Sequence, residues 1–321
     1  GAGHTSGASA RPPDMNTPAS VLQSLSTISV GAPITRLGVS LIPVYVHGRS
    51  VAIRTGRDVG AVITELPDAE VPTLLAQNPT PDPFLLVSGD VVEGGRQTRV
   101  LDVSVLVPAN GSLPIPVSCV EQGRWGGGPG FRAGASFAPR RVRRAKDMTV
   151  GRNLERGVGK HADQGMVWSM VANELDRLGA VNASMRLSAA AEREDEHPGR
   201  VGRTIEELRR LGPLPQQCGV VVAHGPRIVS AEVFAAPELL AAHWGALVAG
   251  VMLDIPDTRP GSVPLLSRAL RFLDRFATGS ATVTDGVGLG REHHVRSSRL
   301  VGQALVLDDV VVHASVFALA A

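Results

Sequence analysis

A chain of 321 residues with 43% hydrophobic side chains can bury a sizeable core, in one large domain or two of ordinary size. Its formal net charge of +2 argues against a surface built throughout for nucleic acid, so any polyanion site must be local. Two widely spaced cysteines, Cys119 and Cys218, argue against a disulfide scaffold.

The longest apolar helix candidate, about 239–253, falls short of the ~20 residues that cross a bilayer. No basic stretch followed by an apolar core opens the chain, and a cytoplasmic protein without a membrane partner is expected. Aromatic residues make up only 3%, which leaves packing to aliphatic side chains and makes Trp125, Trp168 and Trp244 informative. Lys146 and Lys160 are the only lysines. A GC-rich genome explains that skew toward arginine, which also suits bidentate recognition of phosphate.

In chain order, residues 1–14 read as a tail or expression remnant ahead of Met15. Thr17 then caps a short helix through Val21, Leu22 and Leu25. From Leu37 to Glu121 short apolar runs separated by Gly, Pro, Asn and Asp predict strands too closely spaced for crossover helices. Within Val100–Val107, alternation of Val103, Val105 and Val107 against Asp102, Ser104 and Leu106 predicts a strand with unlike faces. The part 15–125 is therefore expected to be antiparallel and β-rich, a sandwich or barrel-like layer.

Residues 126–160, rich in Gly and Arg, read as a mobile loop. The part 161–321 reads as α+β: a helix over 163–178, a short one over 205–211, a hairpin through Gly225-Pro226, two apolar helices opening near Pro237 and Ser262, and closing strands. In the second apolar helix Leu265, Leu266, Ala269, Leu270, Leu273 and Phe276 are expected to face inward. The fold class is thus α+β, with the β-rich N-terminal part packed against the α+β C-terminal part in one unit. Whether the helices at Leu239 and Leu265 stay within one chain or meet a second copy is left open by the sequence.

The densest chemistry lies in Gln97–Trp125. A hairpin through Asn110-Gly111 would bring Gln97 and Arg99 alongside Cys119, Glu121, Arg124 and Trp125. Arginine beside Cys119 favours a thiolate and Glu121 opposes it, so Cys119 reads as a nucleophile or as a small buried hydrophobe. Glu121 reads as a base or as an ion-pair partner of Arg124. An imidazole would have to come from elsewhere, with His313, His293 and His294 as the candidates. The adjacent His293 and His294 point to opposite faces of a strand, so no metal site is assigned. The glycines at 286, 288 and 290 lack the strand–loop–helix setting of a dinucleotide fingerprint. The arginines of 126–160 could close over a phosphate, but they lack the interleaved aromatics of a single-strand nucleic-acid platform.

Gly89 to Arg99, then Val105 to Pro108, and Pro116 to Trp125 with its Cys-Val-Glu-x-Gly-Arg-Trp block resemble a known family. It is the domain found beside ADP-ribosylglycohydrolases and rhodanese-phosphatase superfamily enzymes. Gln164-Gly165-Met166-Val167-Trp168 and His313 to Phe317 look like the same family, so the resemblance covers nearly all of 15–321. Because those neighbours handle ADP-ribose and phosphoesters, it implies a small anionic, nucleotide-like ligand derived from NAD or ADP-ribose. Gln97, Arg99, Arg124, Trp125, Gln164 and Trp168 would bind it; Cys119, Glu121 and His313 would carry any catalysis, with His313 on the wall opposite. Which cofactor, if any, it uses is left open by the sequence. The rival expectation is a non-catalytic scaffold in which the block is a structural corner.

Overall fold

The computed structural model describes residues 14–17, 22, 24–25, 27–48, 51–56, 60–255 and 262–319. Among them are the α-helices α1 (Arg140–Glu155), α2 (Gln164–Arg177), α3 (Ala189–Glu196), α4 (Arg200–Leu211), α5 (Pro237–Met252) and α6 (Leu266–Ala277). None of the helices is long and apolar enough to cross a membrane.

The protein is α+β, and its largest element is a ten-stranded antiparallel sheet. Its order runs Asp14–Thr17, Ala281–Asp285, Arg291–Arg296, Leu300–Leu307, Val310–Ala318, Arg227–Phe234, Gly219–His224, Val39–Tyr45 and Ser29–Val30. Ile34–Arg36 also pairs with Val39–Tyr45. Because Val39–Tyr45 pairs along its length with Gly219–His224, the N- and C-terminal parts share one sheet.

The period-2 alternation of strands divides this sheet between two cores. Ile42, Val44 and Val221 pack with Phe272, Leu273 and Phe276 of α6 on one face. Leu41, Val220 and Val222 pack with Leu240, Trp244 and Leu247 of α5 on the other.

A second, six-stranded sheet runs Phe131–Phe137, Asp90–Gly94, Arg99–Leu101, Ser112–Cys119, Thr73–Gln77 and Val62–Thr64. It curls until Thr64 at one end bridges Gly130 at the other, a half-barrel around Leu74, Val92, Leu101, Ile115 and Val117. Val105–Val107, Phe84–Leu86 and Arg54–Thr55 form a small third sheet. There Val105 and Val107 face the half-barrel core and Leu106 faces the α5 core, but Val100–Val107 is not one strand: Arg99–Leu101 belongs to the six-stranded sheet, and Val105–Val107 pairs with Phe84–Leu86 instead of forming the expected hairpin through Asn110-Gly111.

Several elements depart from expectation. Residues 126–160 are not a mobile loop: Phe131–Phe137 is a strand on Asp90–Gly94, and Arg140–Glu155 is helix α1. The charge run misled because Arg143, Lys146 and Asp147 are buried, each bonded to a group distant in sequence. Thr17 ends a strand instead of capping a helix, and residues 18–21 lie outside the described residues. The expected tail 1–14 lies outside them too, except for Asp14. On α6 the inward face is Ala269, Phe272, Leu273 and Phe276, whereas Leu265, Leu266 and Leu270 are exposed. Arg291–Arg296 is a strand beyond those the apolar runs predicted. Its Glu292 and His294 hydrogen-bond each other in a buried setting.

Candidate functional site

Antiparallel register sets Arg99 directly opposite Cys119 and Leu101 opposite Val117. Paired residues share a face, so Arg99 and Cys119 lie one step beyond the apolar pair Leu101 and Val117, at the mouth of the half-barrel. The predicted convergence of the two strand ends is therefore present. Helix α2, capped by Asp163, whose side chain accepts from Met166 N at 2.9 Å, brings Gln164 and Trp168 to the same place. Gln164 Oε1 accepts from Cys119 N and its Nε2 donates to Cys119 O, both at 2.8 Å. Trp168 stands near the Cys119 sulfur without a hydrogen bond to it.

Arg99 has no solvent exposure. Its Nε donates to Val71 O at 3.0 Å, but among the described residues Nη1 and Nη2 have no hydrogen-bond partner. Gln97 Oε1, Glu65 Oε2 and Trp168 Nε1 are likewise buried without one. Burial pushes the Arg99 guanidinium down from its ordinary value, against the opposing pull of Cys119, Glu65 and Glu121. Trp125, half exposed, stands with its ring 6.0 Å from Arg99 Cζ and 5.3 Å from Arg96 Cζ, within cation–π reach of both.

Glu121 and Arg124 are engaged differently. Glu121 Oε2 accepts from Thr98 N, Thr98 Oγ1 and Arg124 Nη2 at 2.9, 2.8 and 2.7 Å. Burial alone would raise its carboxyl, but these donors outweigh it and hold it at about 2. Arg124 also donates to Gly94 O and Gly95 O, tying this corner to the neighbouring turn. Gly127, at φ +145°, lets the backbone press against Gly95 O, where a Cβ would stand at 2.1 Å. Burial pushes the Cys119 thiol up, the direction opposite to an activated nucleophile.

A scan of the sequence against protein families matches the ARG and Rhodanese-Phosphatase-superfamily-associated Protein domain over residues 27–317. The chain belongs to this family. The ARPP-1 match thus takes in the half-barrel and the ten-stranded sheet except for its strand Asp14–Thr17. No curated protein and no solved structure gives a significant match to the chain.

In this ARPP-1 domain His313 is not on a wall facing Trp125. It lies between the two large sheets, with Nε2 2.8 Å from Glu232 Oε1 and Nδ1 2.7 Å from Ser104 Oγ. Arg143 holds Glu232 through two bonds of 2.9 and 2.8 Å, and Ser88 N donates to Ser104 Oγ. The hydrogen-bond network assigns the Nε2–H tautomer: Glu232 then accepts, and the Ser104 hydroxyl donates to Nδ1. Burial alone would raise the Glu232 carboxyl, but Arg143 and His313 hold it below the usual range.

Beside this chain, Lys146 Nζ donates to Ser88 Oγ, Asp102 O and Asp147 Oδ1, and Gln303 Nε2 donates to the same three groups. Burial pushes the Asp102 carboxyl up, opposed by Lys146 and by Ser118. Gly89, at φ +84°, leaves room for Arg143, whose Nε would sit 2.1 Å from any Cβ there. Serine, histidine and carboxylate are ordered as in a hydrolytic triad, but each is buried, and the arrangement ties the two sheets together.

Two features of the sequence point to this network. Glu232 and Gln303 sit in the middle of otherwise apolar strands, and Lys146 is one of two lysines. Polar groups on the core face of a strand require partners.

Proposed function

We propose that the chain binds a small anionic, nucleotide-like ligand at the mouth of the half-barrel, with Arg99 as its anion contact and Trp125 as a stacking cover. The supporting observation is the buried Arg99 guanidinium, whose two terminal nitrogens lack hydrogen-bond partners among the described residues. A buried charge left this way costs several kcal/mol unless a ligand or solvent completes it, on the order of 3–5 kcal/mol when a partner is missing. Arg99 and Trp168 offer donors to a phosphate, while Gln97 Oε1 and Glu65 Oε2 offer acceptors to ribose hydroxyls. A cytoplasmic setting goes with this reading, since both cysteines are free and buried.

Glu121 and Arg124 favour the scaffold reading for their own corner, because both are bonded to protein groups. The two readings separate at Arg99. Arg99→Met is expected to leave the Tm of the unliganded protein unchanged or higher, and to abolish the thermal shift given by ADP-ribose, NAD or phosphate to the wild type. A ligand at about 100 times its Kd adds ~2.7 kcal/mol, so the shift is readily measured. A fall in Tm for Arg99→Met, with no ligand shifting the wild type, would establish the scaffold reading instead.

A further inference from the structure

A second charged hollow lies at α6, built from residues that play no part in the half-barrel mouth. It encloses about 330 Å³ between the hairpin turn at Pro226, α6 and the turn that leads into Leu300–Leu307. Arg268, Arg271 and Arg275 recur at helical spacing along one edge of α6, and Arg227 at the start of its strand and Arg299 in a turn line the same hollow. Among the described residues no carboxylate lines it. Arg268 Nη1 is held on Pro226 O at 2.9 Å. Among the described residues no ion pair engages Arg227, Arg271, Arg275 or Arg299, whereas Arg124, Arg140, Arg143 and Arg177 all have carboxylate partners.

Gathering like charges around a concavity raises their mutual repulsion and focuses a positive potential into it. An anion relieves both, and guanidinium forks match phosphate oxygens in pairs. The floor is apolar, formed by Ile228, Phe272, Leu300 and Ala318, which suits a carbon skeleton better than a bare ion. The volume sits at the small end of ligand pockets, roughly 300–1,000 Å³, which suits a compact molecule and not a dinucleotide.

We infer that this hollow is a binding site for a small organic polyphosphate, one with phosphate groups on more than one side of a compact skeleton. It is independent of the site at Arg99.

Calorimetric titration of the full chain with inositol trisphosphate, with inorganic tripolyphosphate and with vesicles carrying the same headgroup tests the assignment. Wild-type protein is expected to bind free inositol trisphosphate. Arg271→Ser/Arg275→Ser is expected to weaken binding by about 10-fold or more, at an unchanged melting temperature, since both side chains are exposed. Arg99→Met is expected to bind it as the wild type does, which keeps the two sites distinguishable. Tighter binding to vesicles than to the free headgroup would place the same chemistry on a lipid. The proposal is overturned if the wild type binds neither free nor lipid-borne inositol trisphosphate, whether or not tripolyphosphate binds, or if the double variant binds as tightly.

Discussion

At the scale of single residues, acid sensitivity should separate the buried histidines from Glu121. Burial lowers His224 and His293 to about 4, so each is favoured neutral in the folded protein. Their contribution is complete above the unfolded value near 6.5 and declines as pH falls toward 4. Glu121, held at about 2, contributes fully above about 4.5 and loses that contribution as pH falls toward 2. Denaturant melts between pH 7 and 2.5 should therefore show an early decline and a later one. Glu121→Gln should lower stability at pH 7 by about 1–2 kcal/mol, a value reduced for the partly exposed Arg124, and should lose its difference from wild type near pH 2. A Glu121→Gln deficit that persists undiminished at low pH would mean the carboxylate charge is not what the corner uses. The meeting of Arg99 with Cys119 was legible in the sequence as a pairing of near neighbours, but not by the expected hairpin at Asn110-Gly111: Val105–Val107 leaves to pair with Phe84–Leu86 and Ser112–Pro116 pairs with Thr73–Gln77. His313 was not, because its partners Ser104 and Glu232 come from strands paired only in three dimensions.

At the scale of elements, helix α1 carries the strongest test. Its buried Lys146 donates to Ser88 Oγ, the Asp102 carbonyl and Asp147 Oδ1, so a substitution that removes the ammonium leaves the Asp147 carboxylate buried without its cation. Lys146→Met is expected to cost roughly 3–5 kcal/mol in urea unfolding. Lys146→Met/Asp147→Leu should recover part of that loss, because the adjacent acid goes with the base. A single variant with an unchanged urea midpoint would show that α1 is held by its apolar face alone. The reading of 126–160 as a loop failed for a related reason. A run of Arg and Lys looks solvated until opposing acids such as Glu232 and Glu174 are placed against it. Helix α5 was legible throughout, since Pro237 opens it and an all-round apolar sequence requires a central position.

At the scale of the whole molecule, shared sheets decide the cooperativity. Val39–Tyr45 from the N-terminal part is an interior strand of the ten-stranded sheet, and α1 joins that sheet to the half-barrel. Expressed separately, 15–160 and 161–321 are expected to remain unfolded or to aggregate through bared strand edges, while the full chain unfolds in one calorimetric transition. Two resolved transitions, or a fragment with a cooperative melt of its own, would contradict a single unit. The sequence by itself determined the α+β class, the strand-rich first part, the apolar helices, and the convergence of Gln97 to Trp125. All of these follow from local periodicity, turn chemistry and pairing between near neighbours. The tertiary structure alone decided that α1 is a helix, that His313 and Lys146 belong to a buried polar seam, and that arginines of α6 share a hollow with Arg227 and Arg299. Whether a charge is solvated, paired or left to meet a ligand depends on which distant group the fold sets against it.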